Sequence, residues 1–466
     1  MPVRAVFNQL GSLFTAALPA GQPPLARANY RRELLSVGFL GLATSCVEGG
    51  VVGVIASKAF GASSFIVALL TAAPAISNLS AVLWTRLIQG RDRVRAVNLF
   101  QIGVVCCVLV MACVPISDAG LAVLVTAAIT ARCLLTGMIA ARTDLWRANY
   151  PRHRRARMIG NITLLASFVV GATALALGWA MDIGPRAFTA VFGISVLSGA
   201  VGIRVFSTIR WRGRAVHMRA ERQHLDSEAG ARRAANLRAM IDVLRQDRFY
   251  RRFMAAQFML GMPQLAAIPV FILAIKDLFS LGYRESLLLT QTLPVIVPVL
   301  VIPLWAPLLD RSHIVRFRSW HSWVFVAANV LMFASCRWQN ESLLYISRIV
   351  LGVATGGGML AWELGHHDFA KREQAAVYMG VHVFLTGIRG VFSPFLGTLL
   401  YAGATASILG VPVAVPALGA WTFAALACLS ACAALMFMSL ARRMQKVGAD
   451  SGGATPTGEK AEAAGA

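Results

Sequence analysis

Charged residues are scarce in this chain of 466 residues: 14% are charged, whereas 57% are hydrophobic. A soluble domain has roughly a quarter charged residues, so this deficit, with a mean hydropathy of +0.65, excludes an ordinary water-soluble fold. Acidic residues are rarer than basic ones: the chain has 21 Asp and Glu against 44 Lys and Arg. A basic balance is also typical of nucleic-acid binding. Here the basic residues flank apolar stretches, which favours a membrane protein with no nucleic-acid partner.

Motifs of catalysis and cofactor binding are also missing. The chain has no P-loop, no HExxH motif and no nucleophile elbow. We therefore expect no ATP-driven pump in this chain, no enzyme activity and no cofactor. The eight Cys have no metal-ligand spacing and lie mostly in apolar stretches, which indicates small buried side chains and no disulfide framework.

One segment has the residue types of a metal site but not the pattern. His366, His367 and Asp368 are adjacent, and neighbouring ligands rarely face one ion. No second cluster supports them, so we predict no metal. Helix capping or a contact at a cytoplasmic gate is the expected role of this segment.

About twelve stretches are long enough to cross a bilayer, which takes roughly 20 apolar residues as a helix. The sequence therefore predicts an all-α membrane protein surrounded by the lipid bilayer. The predicted helices lie near residues 34–57, 63–85, 97–116, 120–141, 158–181, 187–208, 253–275, 285–306, 319–336, 343–363, 375–401 and 416–440.

The basic residues lie mainly on one side of these spans. Of the 44 Lys and Arg, 35 are in the tails and in alternate loops, five are in the other loops and four are within spans. By the positive-inside rule, both termini are cytoplasmic and the protein is a multi-pass protein of the inner membrane. The predicted organisation is a cytoplasmic tail 1–33, a six-helix half 34–208, a basic cytoplasmic loop 209–252, a second half 253–441 and a disordered cytoplasmic tail 442–466.

The central loop divides the chain, and its second part, 236–253, is amphipathic. We favour the interpretation of the loop as a solvated connector whose Arg residues set the orientation of the neighbouring spans. The alternative is that the amphipathic part lies on the membrane surface, where its Arg residues contact anionic lipid.

The two predicted halves repeat each other in sequence. Leu40-Gly41 corresponds to Leu260-Gly261 at an offset of 220, and Leu83-Trp84 corresponds to Leu304-Trp305 at 221. After the fourth helix of each half, Asn149-Tyr150 corresponds to Asp368-Phe369 at 219. A nearly constant offset indicates two pseudo-symmetric copies of a six-helix unit.

This organisation resembles the major facilitator superfamily over residues 31–443. The resemblance implies two halves that rock around a central cavity, in a protein expected to be monomeric. The family has a cytoplasmic latch after the second helix of a half. Here Arg91 and Arg93 belong to the first copy, which has Gln89 in place of the acid. Asp310 and Arg311 keep the pattern in the second copy, so the resemblance makes these two the latch residues.

Charges within spans are costly and are therefore candidates for function. Glu48 lies in the first helix, which lines the cavity in the family, and a shielded carboxylate there is suited to carry a proton. Pairing with an Arg of another helix is the structural alternative. Arg132 resembles the Arg of the family's fourth helix, which is linked to proton movement, and Arg348 is its approximate counterpart in the tenth helix.

Arg389 has no charged counterpart in the first half. An Arg within a span must pair or face water, so an anionic substrate or Glu48 across the cavity would suit it. His382 lies two turns earlier and is either a buried, hydrogen-bonded residue or a proton carrier. Five further polar residues within spans either line the cavity or bridge helices: Asn78, Asn161, Gln257, Gln264 and Gln291.

These features predict a secondary transporter of a small solute that works by alternating access and is coupled to protons, as a symporter or an antiporter. Two alternatives stay open. One is a receptor or scaffold on the same fold that transports nothing. The other is a transporter of lipids or amphipaths, in which the intramembrane Arg residues hold a phosphate head group.

Overall fold

The computed structural model describes residues 23–450 except 226–230, 367, 371–373 and 409–410. Most of the tail predicted at 1–33, the end of the tail at 442–466 and part of the central loop therefore lie outside the described residues. Within them, apolar helices make up nearly all of the chain. Ten helices are long and apolar enough to cross a bilayer, which confirms the prediction of an all-α membrane protein.

The first half forms six spans, two of which are each built from two helices. The helices are α1 (Pro24–Ser45), α2 (Gly49–Ala59), α3 (Ser64–Leu79), α4 (Ala81–Ile88), α5 (Arg93–Ala112), α6 (Asp118–Asn149), α7 (Arg152–Ile183) and α8 (Ala187–Phe206). Two helices of the central loop follow, α9 (Arg214–Leu225) and α10 (Ala231–Gln246).

The second half repeats the six spans. Its elements are α11 (Arg248–Asp277), α12 (Tyr283–Leu287), a π-helix (Leu288–Thr292), α13 (Leu293–Asp310), α14 (Ile314–Trp338), α15 (Glu341–Leu364), α16 (Ala375–Ala402), β1 (Ala404–Ile408), β2 (Val411–Val415) and α17 (Trp421–Asp450). The antiparallel pair of strands was not predicted, although β-branched residues in both strands favour it.

Two of the twelve predicted spans are weaker by length or composition. α3 has only 16 residues. α14 has 25 residues, but Arg316, Arg318 and His321 lower its hydropathy. The amphipathic helix predicted at 236–253 is interrupted: Asp247 accepts a hydrogen bond from the Tyr250 amide and begins α11 there.

Two spans of the first half were predicted as single helices and are broken. The first span is interrupted at residues 46–48, and the second is interrupted at Ser80. Non-helical backbone at membrane depth is tolerated only where it is buried in protein or lines a cavity. The break at Glu48 therefore marks a position where the first span lies against protein or water rather than lipid.

The halves contact each other in a symmetric way. α3 packs against α16, and α7 packs against α12, the π-helix and α13. We call the end of the bundle that carries the described chain ends and the central loop the terminal end, and the opposite end the far end. α2 packs against α11 and α12, whereas α1 packs mainly on helices of its own half. The first span thus contacts the other half through its far-end piece.

Candidate functional site

Glu48 and Arg132 form an ion pair at the break in the first span. Glu48 is the last residue before α2, and its Oε1 lies 2.8 Å from Nη1 of Arg132 in α6. The two side chains are 29% and 18% exposed, so the pair is partly buried. Of the partners that the sequence left open for Glu48, the structure brings Arg132 to it and not Arg389.

Small and polar residues surround this pair. Thr136, one turn after Arg132, donates a hydrogen bond to the Ser77 hydroxyl in α3 at 3.0 Å. A Cβ at Gly50 would lie 2.5 Å from Oε1 of Gln291, so α2 packs directly on the π-helix of the other half. The structure thus brings Gln291 to the first span, whereas Asn78 is exposed on α3.

Arg389 is buried in the second half, 7% exposed. Its Nη1 donates to the backbone carbonyl of Gln257 in α11 at 2.5 Å. The guanidinium group occupies the space that a side chain at Gly261 would need. His382 is fully buried, and its ring meets that of Trp362 edge-on at 5.4 Å.

The sequence analysis missed two buried residues of α14, Arg318 and His321. Arg318 is 2% exposed, its Nη1 lies 3.3 Å from Nδ1 of His321, and Nε2 of His321 lies 3.0 Å from the carbonyl oxygen of Ala354. The helix was predicted to begin at residue 319, which placed Arg318 in a loop. The three-residue spacing of Arg and His, one helical turn, was the available signal.

Arg348 connects three spans. Its Nε donates to the carbonyl oxygen of Leu289 in the π-helix at 3.0 Å, and its guanidinium lies 4.0 Å from the ring centroid of Phe271. A π-helix shifts the backbone hydrogen bonds and often occurs at functional sites. Arg348 is therefore a buried cation whose described partners are neutral.

Two of the predicted cavity residues bridge helices within one half. Asn161 donates to the Tyr30 hydroxyl at 3.0 Å, joining α7 to α1. Gln264 donates to the Ser430 hydroxyl at 3.5 Å, joining α11 to α17. The helix-bridging role that the sequence left open for these two residues is the one the contacts support.

The two copies of the latch element differ in their contacts. Arg93 is buried and pairs with Asp144 at 2.8 Å and with Glu221 of α9 at 2.7 Å. Arg91 is exposed. Asp310 and Arg311 are also exposed and form no ion pair within the described part of the chain. Among the described residues the first copy is thus the engaged one, because Arg93 meets carboxylates of both α6 and α9.

Asp368 caps a helix, which is one of the two roles that the sequence analysis expected for its segment. Its Oδ2 accepts a hydrogen bond from the backbone amide of Ile314, the first residue of α14, at 2.7 Å. Across the residues that the structure describes, no group of three or more His, Cys, Asp and Glu is placed to hold a metal ion.

A second buried ion pair lies nearer the terminal end and was not predicted. Glu33 of α1, 4% exposed, accepts from Arg142 at 2.8 Å, from the Trp146 indole at 2.6 Å and from the Tyr150 hydroxyl. Burial and the nearby Glu33 carboxylate raise the pKa of Tyr150, so its hydroxyl stays protonated and donates. The carboxylate is therefore well supplied with donors.

Several solved structures of membrane transporters are similar to this chain in fold. A nucleoside transporter, NupG, has a TM-score of 0.64 at 12% identity, covering 89% of this chain and 99% of its own. A peptide transporter, POT, has a TM-score of 0.64 at 12% sequence identity, and the match covers 89% of this chain and 94% of the transporter. A D-xylose-proton symporter has a TM-score of 0.64 at 12% sequence identity, and the match covers 88% of this chain and 96% of the symporter. No family model matches the chain, and no curated protein is similar to it in sequence. At this identity the likeness shows only that the chain shares the fold of these structures.

Proposed function

We propose that this chain is a secondary active transporter that moves a small solute across the membrane by alternating access, coupled to protons. The fold supports transport in general, since the similar structures are a nucleoside, a peptide and a xylose-proton transporter. The observation that carries the proposal is the Glu48–Arg132 pair at the broken first span, because a charged pair at membrane depth is costly and typical of proton relays.

The contacts between the halves support alternating access. The hydrogen bonds that join the halves within the described residues lie between the middle of the bundle and its far end. Asp182 of α7 accepts from the Tyr283 amide at 2.7 Å, and Thr292 donates to the Gly171 carbonyl at 2.9 Å. Lys58 donates to the Ser286 hydroxyl at 3.1 Å. Under this proposal, halves joined at the far end correspond to the state that is closed there, which is one of the two states that alternating access needs.

The proposed coupling step is a change in the charge of Glu48. As a carboxylate it pairs with Arg132, and as a carboxylic acid it no longer holds the cation by charge. Proton binding therefore frees Arg132 and α6 from the break between α1 and α2. α2 also contacts the second half. When the Glu48–Arg132 pair separates, we therefore expect the contact between the halves to weaken.

Transport into proteoliposomes tests this proposal. The purified chain, with a pH gradient imposed, is given a panel of sugars, amino acids, nucleosides, peptides and organic anions. We expect accumulation of at least one solute, its loss with an uncoupler, and its loss in Glu48→Gln. The matched control is Glu341→Gln, an exposed carboxyl at the start of α15. Normal gradient-driven accumulation in Glu48→Gln would exclude Glu48 as the proton carrier.

The same assay separates transport from the scaffold alternative. No flux of any solute, together with a protein partner that stays bound through purification, would favour a scaffold. The excess of basic residues at one side supports the inner membrane with both termini cytoplasmic as part of the proposal. Protease accessibility of tags at the two termini in sealed vesicles tests that orientation.

A further inference from the structure

Polar side chains occupy one face of α16 over three turns of the helix. His382, Thr386, Arg389 and Ser393 are spaced by four, three and four residues, so they lie in one row. Each has a buried side-chain nitrogen or oxygen without a hydrogen-bond partner. These atoms are both ring nitrogens of His382, the hydroxyls of Thr386 and Ser393, and Nε of Arg389. Native proteins leave few such atoms unpaired, so a row of them calls for an explanation.

The side chains opposite this row are also incompletely bonded. In α11, the side-chain oxygens of Gln257 and Gln264 are buried and lack a partner. Gly261 lies between them and leaves room for the guanidinium of Arg389. The glycine thus allows the cation to sit between the two spans.

A second cation faces the same region. Nη2 of Arg318 reaches the Gly358 carbonyl oxygen only at 3.5 Å, and its Nε is buried without a partner. Gly358 lies one turn before Trp362, whose ring contacts that of His382, so Arg318 and His382 meet the same stretch of α15. Two guanidinium groups that repel each other are therefore buried in the same part of the second half.

The two buried cations, Arg318 and Arg389, lack a negative charge that would balance them within the described residues. An Arg side chain does not lose its proton in a protein, and burying an unpaired ion costs several kcal/mol. In the part of the chain that the structure describes, no carboxylate forms an ion pair with Arg318 or Arg389. Arg348 differs, because a carbonyl oxygen and an aromatic face hold it.

We propose that the second half binds a small oxyanion group, a phosphate, sulfate or carboxylate, between Arg318 and Arg389. A guanidinium donates two parallel hydrogen bonds to such a group, and one anion satisfies both cations at once. His382 and Thr386 supply further donors from the same row. The occupant is compact, since the two Arg side chains are 2% and 7% exposed.

The proposal goes beyond transport and does not depend on it. An oxyanion group reaches this site either on a free solute or on a lipid head group. Binding to the full chain in nanodiscs tests both sources separately. One arm titrates inorganic phosphate, sulfate and malonate in phosphatidylcholine nanodiscs, with chloride at equal ionic strength as the reference. The other arm compares phosphatidylcholine nanodiscs with phosphatidylglycerol ones.

We expect saturable binding in one arm, weakened at least about tenfold in both Arg318→Gln and Arg389→Gln, as for the loss of hydrogen bonds to a charged group. Arg348→Gln is the matched control, a buried Arg of the same half, and should bind as the wild type does. In the lipid arm the readout is the thermal stability gained from phosphatidylglycerol, which both Gln variants should lose.

A second readout covers variants that fold poorly. Without oxyanion, Arg318→Gln removes one of two repelling charges, so its melting temperature should be no lower than that of the wild type. With saturating oxyanion, the wild type should have the higher melting temperature. Arg389→Lys, which keeps the charge but loses the forked donor, should bind at least about tenfold more weakly. No saturable binding in either arm, or equal weakening in Arg348→Gln, would overturn the proposal. These binding outcomes are read without flux and thus stand apart from the test of Glu48.

Discussion

The two halves of the bundle share one architecture but bury their charges differently. In the first half, charges at buried or partly buried positions form pairs: buried Glu33 with Arg142, partly buried Glu48 with Arg132, and buried Arg93 with the more exposed Asp144 and Glu221. The second half buries Arg318, Arg348 and Arg389 without a described carboxylate partner. Since both halves have six spans, the difference separates what the shared architecture needs from what is particular to each half.

The strongest test of this contrast removes one member of the most buried pair. Glu33→Gln leaves the Arg142 cation buried and unpaired, which is expected to cost about 3 kcal/mol of unfolding free energy. Unfolding in detergent, followed by SDS titration, measures the loss. Glu341→Gln, at an exposed helix start, is the control and should cost less than about 1 kcal/mol. Equal effects of the two substitutions would show that the first half does not depend on pairing.

The next test asks whether pairing extends to the terminal end of the first half. Arg93→Gln removes the partner of two carboxylates, and we expect a loss of about 2 kcal/mol. Arg91→Gln changes an exposed Arg two residues away and should have almost no effect. The same unfolding assay applies. A loss in Arg91→Gln as large as that in Arg93→Gln would contradict the view that α9 engages the first latch copy through Arg93.

A substitution in the second half should have a smaller effect. Arg348→Met removes a buried cation together with its hydrogen bond and its contact with Phe271, but leaves no carboxylate unpaired. Since removal of the buried charge offsets part of what is lost, a change of about 1 kcal/mol is expected. Arg142→Met, which strands Glu33, is the comparison and should cost more. If Arg348→Met proved the more damaging substitution, an undetected anionic partner of Arg348 would have to be sought.

The far-end contact is where the first half supplies a carboxylate to the second. Asp182→Asn weakens the interaction with the amides of Tyr283 and Arg284 at the start of α12. A charge at a helix N-terminus contributes about 1 kcal/mol, so the open form of the far end should become about fivefold more populated. Maleimide labelling of Thr292→Cys, in a background without native Cys, measures this. Asp118→Asn, at the far-end start of α6, should leave the labelling rate unchanged.

Much of the fold follows from the sequence, because apolar length, loop charge and an offset near 220 depend only on local composition and on duplication. The ten spans that meet the length and hydropathy criteria all lie at predicted positions. The break at Glu48 was not predictable in the same way. Gly49, Gly50 and Gly53 weaken the helix, but whether it breaks there depends on the π-helix packed against it.

Pairing was harder to predict than position. Glu48 and Arg132 were both recognised as intramembrane charges, but which Arg meets Glu48 depends on the relative depth and rotation of α2 and α6. Arg318 was missed because an error of five residues in the start of α14 moved it from span to loop. Buried and solvated Arg look alike in one sequence, and only packing distinguishes them.

The smallest expected effect concerns the second copy of the element that resembles the cytoplasmic latch of the major facilitator superfamily. Asp310 and Arg311 keep the Asp-Arg pattern, but both are exposed and neither forms an ion pair within the described residues. Asp310→Asn should therefore change the unfolding free energy by less than about 0.5 kcal/mol, as for an ordinary surface substitution.

The transport rate of Asp310→Asn distinguishes a residue that is idle from one that pairs in another state. If the second copy latches only when the terminal end closes, Asp310→Asn would leave unfolding unchanged but slow the transport cycle, whereas Arg93→Gln would alter both. An unchanged rate would mean that the better-matched motif has lost its role and that the Arg93 contacts with α9 have replaced it. Such a result would extend the contrast between the halves from buried charges to their contacts at the terminal end.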